Sequence, residues 1–97
     1  MSFVQIMQFK TSKIDEVRAA ADEWDKATQG KRTVDRSFMC ADRDSPGHYS
    51  VIAFFDSYDA AMRNSALPET DALSKKLAGL ADGPPTFLNL DVVEERS

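Results

Sequence analysis

The segment HYSVIAFFDSYDAAMRNSALP (48–68) is the most informative about the fold, because its residue pattern changes from strand to helix within a short distance. Residues 48–56 are rich in β-branched and aromatic side chains, which is typical of a strand. Helical spacing of small and apolar residues follows, at Ala60, Ala61 and Met62. Asp56 or Ser57 is placed to cap that helix, and Pro68 ends it because the residue before a proline disfavours the helical region.

The chain before this stretch predicts a strand and a long helix. Residues 2–10 (SFVQIMQFK) are β-rich and apolar on both alternating sets, so the strand is expected to be covered on both faces. Residues 11–31 carry apolar side chains at helical spacing, with Ser12 as the expected N-cap and Gly30 at the C-terminal stop.

The remaining segments complete an alternating order. Residues 33–42 predict a second strand that pairs with the strand at 48–56 as an antiparallel hairpin across a Pro-Gly turn. A second helical piece begins near Pro68 and places leucines on one stripe, namely Leu73, Leu77 and Leu80. Residues 86–95 predict the last strand.

This order predicts an α+β protein with the ferredoxin-like βαββαβ fold, a four-stranded antiparallel sheet in a single domain over residues 1–97. The helices cover one sheet face. The other face is expected to expose Phe3, Met7, Phe9, Phe38, Ile52 and Phe54. Such a patch exceeds what a soluble monomer leaves bare, so we expect a homodimer in which this second face is an interface, a ligand cavity or both.

Composition excludes several classes of partner. The net charge is −4, with no basic cluster, which argues against nucleic acid and anionic membranes as partners. No segment is apolar enough for a signal peptide or a membrane span, so a cytoplasmic location is expected. Cys40 is the only cysteine, and no spacing of Cys, His and acidic residues predicts a metal site.

Polar residues on the strands are the first candidate site. By alternation Gln5, Asn89 and Asp91 are expected on the second sheet face with Arg36, beside the apolar Phe9 and Phe54. Such a set can orient a small ligand, or it can form a hydrogen-bonded network across a dimer interface. The sequence leaves both interpretations open.

Three further residues have two interpretations each. His48, the only histidine, is a candidate general base or a solvated residue at a strand end. Trp24 lies on the apolar stripe of the first helix, as core packing or as a pocket wall. Asn64 lies at the helix break, where it either caps local backbone groups or faces a ligand.

The chain resembles the dimeric α/β-barrel superfamily, and within it the small bacterial proteins related to antibiotic-biosynthesis monooxygenases. The resemblance covers nearly the whole chain, and it is carried by FVQIMQ (3–8), Trp24, FFDSYDAAMRNSALPE (54–69) and TFLNLDV (86–92). It implies a homodimer of facing sheets with a pocket between sheet and helices in each subunit. Relatives are similar in having an Asn-Ser and a Pro-Glu around the helix break, here Asn64-Ser65 and Pro68-Glu69.

The resemblance also implies a function. We expect a small, largely apolar organic ligand and a cofactor-independent monooxygenase, with Asp91 or His48 as the base. The ligand-binding residues are expected to be Gln5, Phe9, Trp24, Arg36, Phe54, Asn64 and Asn89. The alternative is a non-catalytic, ligand-binding or stress-related accessory protein, favoured by the few titratable groups in the expected cavity. A third possibility is a second face sealed entirely by the dimer.

Overall fold

The computed structural model of the protein describes residues 2–97, so the first residue of the expected domain lies outside the described range. The elements follow the predicted order, including the break between two helices after the hairpin. They are β1 (Phe3–Lys10), α1 (Ile14–Ala27), β2 (Arg36–Ala41), β3 (His48–Phe55), α2 (Tyr58–Ser65), α3 (Pro68–Leu80) and β4 (Thr86–Asp91).

The strands form one antiparallel sheet in the order β2-β3-β1-β4. β1 lies between β3 and β4, and β2 pairs with β3 in the predicted hairpin. This is the strand order of the split βαβ arrangement, so the predicted ferredoxin-like α+β fold is confirmed for the single chain.

The core lies on the side of the sheet that faces the helices, which we call the inner face. A cluster of buried apolar residues joins the ends of β1 and β3 to α2, namely Phe3, Phe55, Ala60 and Ala61. Val17 of α1 is also buried, and it shares a cavity wall with Met7 and Phe9. The expectation that Phe3, Met7 and Phe9 lie on the uncovered face is therefore wrong. Both alternating sets of β1 are apolar, so the alternation alone could not distinguish the two faces.

The opposite side, which we call the outer face, is apolar and uncovered. Register places large apolar strand residues there, namely Val4, Ile6, Phe38, Ile52, Phe54, Leu88 and Leu90. Phe38, Leu88 and Leu90 are 49%, 40% and 43% exposed. Phe38, Ile52 and Phe54 were expected on an uncovered face, and that part of the prediction is confirmed.

The two helix starts differ in how well local sequence predicts them. Ser57 caps α2, since its Oγ accepts a hydrogen bond from Ala60 N at 3.1 Å, as one of the two predicted caps. Lys13, not Ser12, is the N-cap residue of α1. Thr11 holds that turn instead: its Oγ1 accepts from Lys13 N at 2.9 Å and donates to Leu80 O at 2.6 Å. The second bond ties α1 to the end of α3, which is a tertiary contact that no local pattern predicts.

The last strand is shorter than predicted. β4 ends at Asp91, and beyond it Val92 N donates to Ser2 O while Val93 is 86% exposed. β1 begins at Phe3, so there is little neighbouring strand left to continue the pairing. No helix formed by residues 2–97 is both long and apolar enough to cross a lipid bilayer.

Candidate functional site

A cavity of about 480 Å³ lies between the inner face and the helices. This volume falls within the roughly 300–1,000 Å³ of pockets that hold small molecules. Most of its wall is apolar, including Met7, Val17, Ala21, Val34, Met39, Val51, Ala53, Phe55, Leu73, Leu77 and Phe87. Polar groups interrupt this wall at a few positions, namely Gln5, Trp24, Asp25, Ser37, Asn64, Ser65, Thr70, Asp71 and Ser74.

Asn64 is the most buried polar residue of this wall, at 8% exposure. It is in the last turn of α2, and its side-chain Oδ1 accepts a hydrogen bond from Thr33 N at 3.2 Å. Its backbone oxygen accepts from Leu67 N at 3.3 Å, so the main chain already closes the helix end. Within residues 2–97 the Nδ2 of Asn64 donates to no acceptor. Asn64 therefore lines the cavity with one side-chain donor, Nδ2, that is unpaired within residues 2–97.

Trp24 contributes its ring to the wall rather than its polar atom. Its Nε1 donates to Thr70 Oγ1 at 2.9 Å, a bond that joins α1 to the first turn of α3. On another side the Arg32 guanidinium lies 5.9 Å from the centre of the ring. With its N–H occupied, Trp24 acts as an apolar wall and a structural link between helices, so both interpretations of this residue hold together.

A smaller cavity of about 240 Å³ shares part of this wall. The shared residues are Met7, Val17, Ser74, Leu77 and Phe87. Phe9, expected as a ligand wall, lines this smaller cavity and not the larger one. Phe9 is 9% exposed, and its ring stacks on Tyr49 with centroids 5.8 Å apart.

The charges around the larger cavity are negative. Asp25 and Asp71 are the only titratable side chains in its wall among residues 2–97, and both are exposed. Asp71 pairs with Lys75 at 3.1 Å. No lysine, arginine or histidine of the described chain lines the cavity. A bound anion would therefore meet no compensating positive charge in the wall.

An ion pair stands near the Trp24 contact. Lys31 Nζ lies 2.7 Å from Glu69 Oε2, and the hydrogen bond from Lys31 holds the pKa of Glu69 below its ordinary value of 4.5. The other carboxylate oxygen, Oε1, is buried and has no hydrogen-bond partner among residues 2–97. The pair joins the loop after α1 to the start of α3, next to Thr70.

The predicted polar set divides between the two faces of the sheet. Gln5, Asn89 and Asp91 were expected on the uncovered face, and that expectation is wrong, since register places them on the inner face with Phe3. There Gln5 Nε2 donates to Asn89 Oδ1 at 3.1 Å. Only Gln5 of these three lines the cavity. Asp91 is exposed at the end of β4, opposite Phe3.

Arg36 does not join that set, so the expectation that it shares a face with Asp91 is wrong. It lies opposite Phe54, and Phe54 lies opposite Val4, which places Arg36 on the outer face. Its guanidinium lies 4.8 Å from the ring centre of Phe54 and 5.7 Å from that of Phe38. Arg36 and Phe54 are therefore neighbours, as expected, but they face away from the cavity. The register of the β2–β3 hairpin determines this, and the sequence of β2 alone did not indicate it.

His48 is exposed at the first position of β3, in the row that alternates with the inner-face residues Tyr49 and Val51. It does not line the cavity, and neither does Asp91. Of the nine residues expected to form the site, the cavity brings together Gln5, Trp24 and Asn64. The proposed base role of Asp91 or His48 has no geometric support within this cavity.

Sequence reasoning missed two residues that organise the site. Thr33 fixes the orientation of Asn64, and Thr70 accepts the hydrogen bond from Trp24. Thr70 had a signal, because it lies one helical turn before Leu73 on the predicted stripe. Thr33 had none, since its contacts join residues 27 and 31 positions apart in the chain. Residues 2–97 contain no group of three or more His, Cys, Asp or Glu side chains placed to hold a metal ion.

Comparison with known proteins shows similarity in structure and not in sequence. No protein-family model matches the chain, and no curated protein matches it. Rv0793 from Mycobacterium tuberculosis is 16% identical and covers 100% of both chains, with a TM-score of 0.81. SnoaB, a cofactor-independent oxygenase from Streptomyces nogalater, is 16% identical over 97% of this chain and 95% of its own, with a TM-score of 0.81.

A third solved structure, of an antibiotic biosynthesis monooxygenase, is 20% identical over 97% of this chain and 100% of its own, with a TM-score of 0.76. At these identities the similarity concerns the fold. The chain thus has the fold of antibiotic-biosynthesis-monooxygenase-like proteins, as the resemblance in sequence predicts.

Proposed function

We propose that the protein binds a small, largely apolar organic molecule in the inner cavity and oxygenates it without a cofactor. The main support is the amide of Asn64. Asn64, 8% exposed, offers an unused amide donor from an otherwise mostly apolar wall. A donor in an apolar, partly enclosed site selects a ligand with an acceptor oxygen, because a buried donor left without a partner costs about 1–3 kcal/mol. A phenol or an aromatic ketone has this chemistry.

The reaction follows from the chemistry of such ligands. A phenolic or ketonic compound with an activated CH₂ group can lose a proton to give a stabilised anion, and that anion reduces dioxygen directly. One oxygen atom enters the substrate as a carbonyl oxygen and the other leaves as water. The protein would supply an apolar site, a donor from Asn64 to the oxyanion and a base. Within the cavity wall the candidate bases are Asp25 and Asp71.

We further propose that a second copy of the chain covers the outer face. Seven apolar side chains from all four strands lie there, and the largest exposed fractions belong to Phe38, Leu88 and Leu90. Burying this face against an identical one removes apolar surface from water on both subunits. Sedimentation equilibrium of the purified protein tests this, and a mass of one chain at all concentrations would contradict it.

A non-catalytic ligand-binding protein is the second candidate function. It is favoured by the titratable groups of the cavity, which are two exposed carboxylates and no histidine. Exposed carboxylates at neutral pH are weak bases, so they suit only a substrate that is already acidic.

Ligand binding is measured first. Trp24 is the only tryptophan and it lines the cavity, so its fluorescence reports a bound aromatic molecule directly. We expect saturable quenching by 1-naphthol, and about fivefold to tenfold weaker binding after Asn64→Ala, the effect of one lost hydrogen bond. Gln29→Ala is the control, since this exposed amide lies in the loop after α1, outside the cavity wall, and its loss should leave affinity unchanged. Saturation that is equally tight in all three proteins would contradict the role of Asn64.

Oxygen uptake then separates the two candidate functions. With anthrone as substrate the oxygenase consumes one dioxygen per molecule converted, whereas a binding protein leaves the background rate unchanged. In the active case Asp25→Asn or Asp71→Asn is expected to slow turnover at least tenfold. Asp91→Asn is the comparison variant, and unchanged turnover there removes Asp91 from the base role.

A further inference from the structure

The amide of Asn64 can present either its oxygen or its nitrogen to the cavity, and its neighbours decide which. A side-chain amide has one acceptor oxygen and two N–H donors, related by rotation about the Cβ–Cγ bond. Thr33 N donates to Oδ1 at 3.2 Å, so the oxygen is directed at the main chain of the loop after α1. The nitrogen has no partner among residues 2–97, so it is free to bind a ligand in the cavity that Asn64 lines.

Thr33 is itself held from two sides. Its Oγ1 donates to the backbone oxygen of Ala60, one helical turn before Asn64. Two residues further on, Asp35 N donates to Phe54 O at 2.7 Å, which attaches the same loop to the edge of β3. The Thr33 N–H is thus fixed relative to α2 by one side-chain bond and relative to the sheet by one main-chain bond.

We propose that Thr33 is a positioning residue, which sets the cavity to accept ligands with a carbonyl, quinone or phenol oxygen and to disfavour ligands without an acceptor. This inference rests on the proposed function, because it concerns the ligand of the same cavity. The hydroxyl bond to Ala60 holds the Thr33 N–H against Asn64 Oδ1, and that contact keeps Nδ2 directed at the ligand. Thr33 does not line the cavity, so it acts on the ligand only through Asn64.

The test uses two ligands of the same shape. 1-Tetralone carries a carbonyl oxygen, and tetralin is the same bicyclic hydrocarbon without it. Their affinities are measured by NMR titration for the wild type and for Thr33→Val, Thr33→Ser and Asn64→Ala. The ratio of the two affinities is the readout, because a merely structural role for Thr33 would weaken both ligands alike and leave the ratio unchanged.

The ratio of tetralone affinity to tetralin affinity should be about fivefold to tenfold higher in the wild type than in Asn64→Ala. The ratio in Asn64→Ala is the baseline, because this variant lacks the donor. Thr33→Val keeps the shape of the side chain and deletes the hydroxyl, and it should reduce this preference to about twofold. Thr33→Ser restores the hydroxyl and should restore the preference. The Asn64 side-chain N–H resonances should shift with tetralone and not with tetralin, a second measurement that needs no folded Asn64→Ala variant.

The results separate the two proposals. If Asn64→Ala lowers the preference and Thr33→Val leaves it at the wild-type value, Asn64 is the donor and the positioning role of Thr33 is overturned. If both ligands bind but the wild type shows no preference for tetralone, the inference also fails, while a binding cavity remains. If neither ligand binds, the proposed function fails, and the inference fails with it.

Discussion

The inner and outer faces of the sheet come from the same four strands, yet helices cover the first and leave the second exposed. On the inner face the apolar side chains meet helices, and Asn64 and Trp24 have partners on other elements, Thr33 and Thr70. On the outer face many side chains are also apolar, and no element formed by residues 2–97 covers them.

Arg36 illustrates the difference. It is a basic side chain on the outer face, and it lies over two aromatic rings instead of an acidic partner. Specific hydrogen bonds organise the inner side, whereas the outer face presents mainly apolar surface with few directional contacts. The first arrangement suits recognition of one small molecule, and the second suits a flat, self-complementary contact.

Two adjacent phenylalanines, one on each face, should differ most in their contribution to stability. Phe55 is 3% exposed in the inner core, and Phe54 is half-buried on the outer face. Phe55→Ala should cost about 3–5 kcal/mol of unfolding free energy, because it leaves a cavity in the core. Phe54→Ala should cost roughly 1 kcal/mol within one chain. Urea unfolding at low protein concentration measures both, and equal costs would remove the distinction between the faces.

A charge on the outer face tests its proposed occupant. Ile52→Lys places an ammonium in the centre of the apolar patch, opposite Ile6, and should weaken self-association at least tenfold. Ser50→Lys is the control, since it lies on the same face of the same strand nearer to its end. Sedimentation velocity across a concentration series measures the effect. A dimer as stable as the wild type in the Ile52 variant would mean that another surface is used.

The hydrogen bond between Trp24 and Thr70 should make a smaller contribution to the stability of the inner side. Thr70→Val removes the acceptor of the indole N–H while keeping the side-chain shape, and should cost about 1 kcal/mol, with a shift in tryptophan emission. Thr70→Ser retains the hydroxyl and should retain most of the stability. Identical thermal unfolding and emission in both variants would show that this bond does not hold α1 to α3.

The ion pair beside this link should give the smallest effect, and one that depends on pH. Lys31 lowers the pKa of Glu69, so its contribution to stability is present above pH 4.5 and is lost as the pH falls through the lowered pKa of the folded state. Lys31→Met should therefore lower the melting temperature slightly at pH 7 and leave it unchanged in strong acid.

Lys10→Met is the matched control for that experiment, because Lys10 has no ion pair among residues 2–97. A Lys31→Met effect of the same size at pH 7 and in strong acid would show that the lysine acts through packing of its aliphatic chain instead.

The sequence determined the elements and their order. Helical spacing, the Ser57 cap and Pro68 are local signals, and each predicted its element or boundary because the physics involved spans only a few residues. The fold class followed from that order. Asn64 was also identified from local sequence, since a polar residue at a helix break is expected either to cap backbone groups or to face a ligand.

Which face of each strand is inside depends on tertiary packing. Phe3 and Val4 are both apolar, as are Phe54 and Phe55, so alternation gave no preference; strand register and helix packing assigned the faces. The same register separated Arg36 from Asp91. Thr33 became part of the site through contacts distant in sequence, and such contacts leave no local pattern because the chain between them is free to vary.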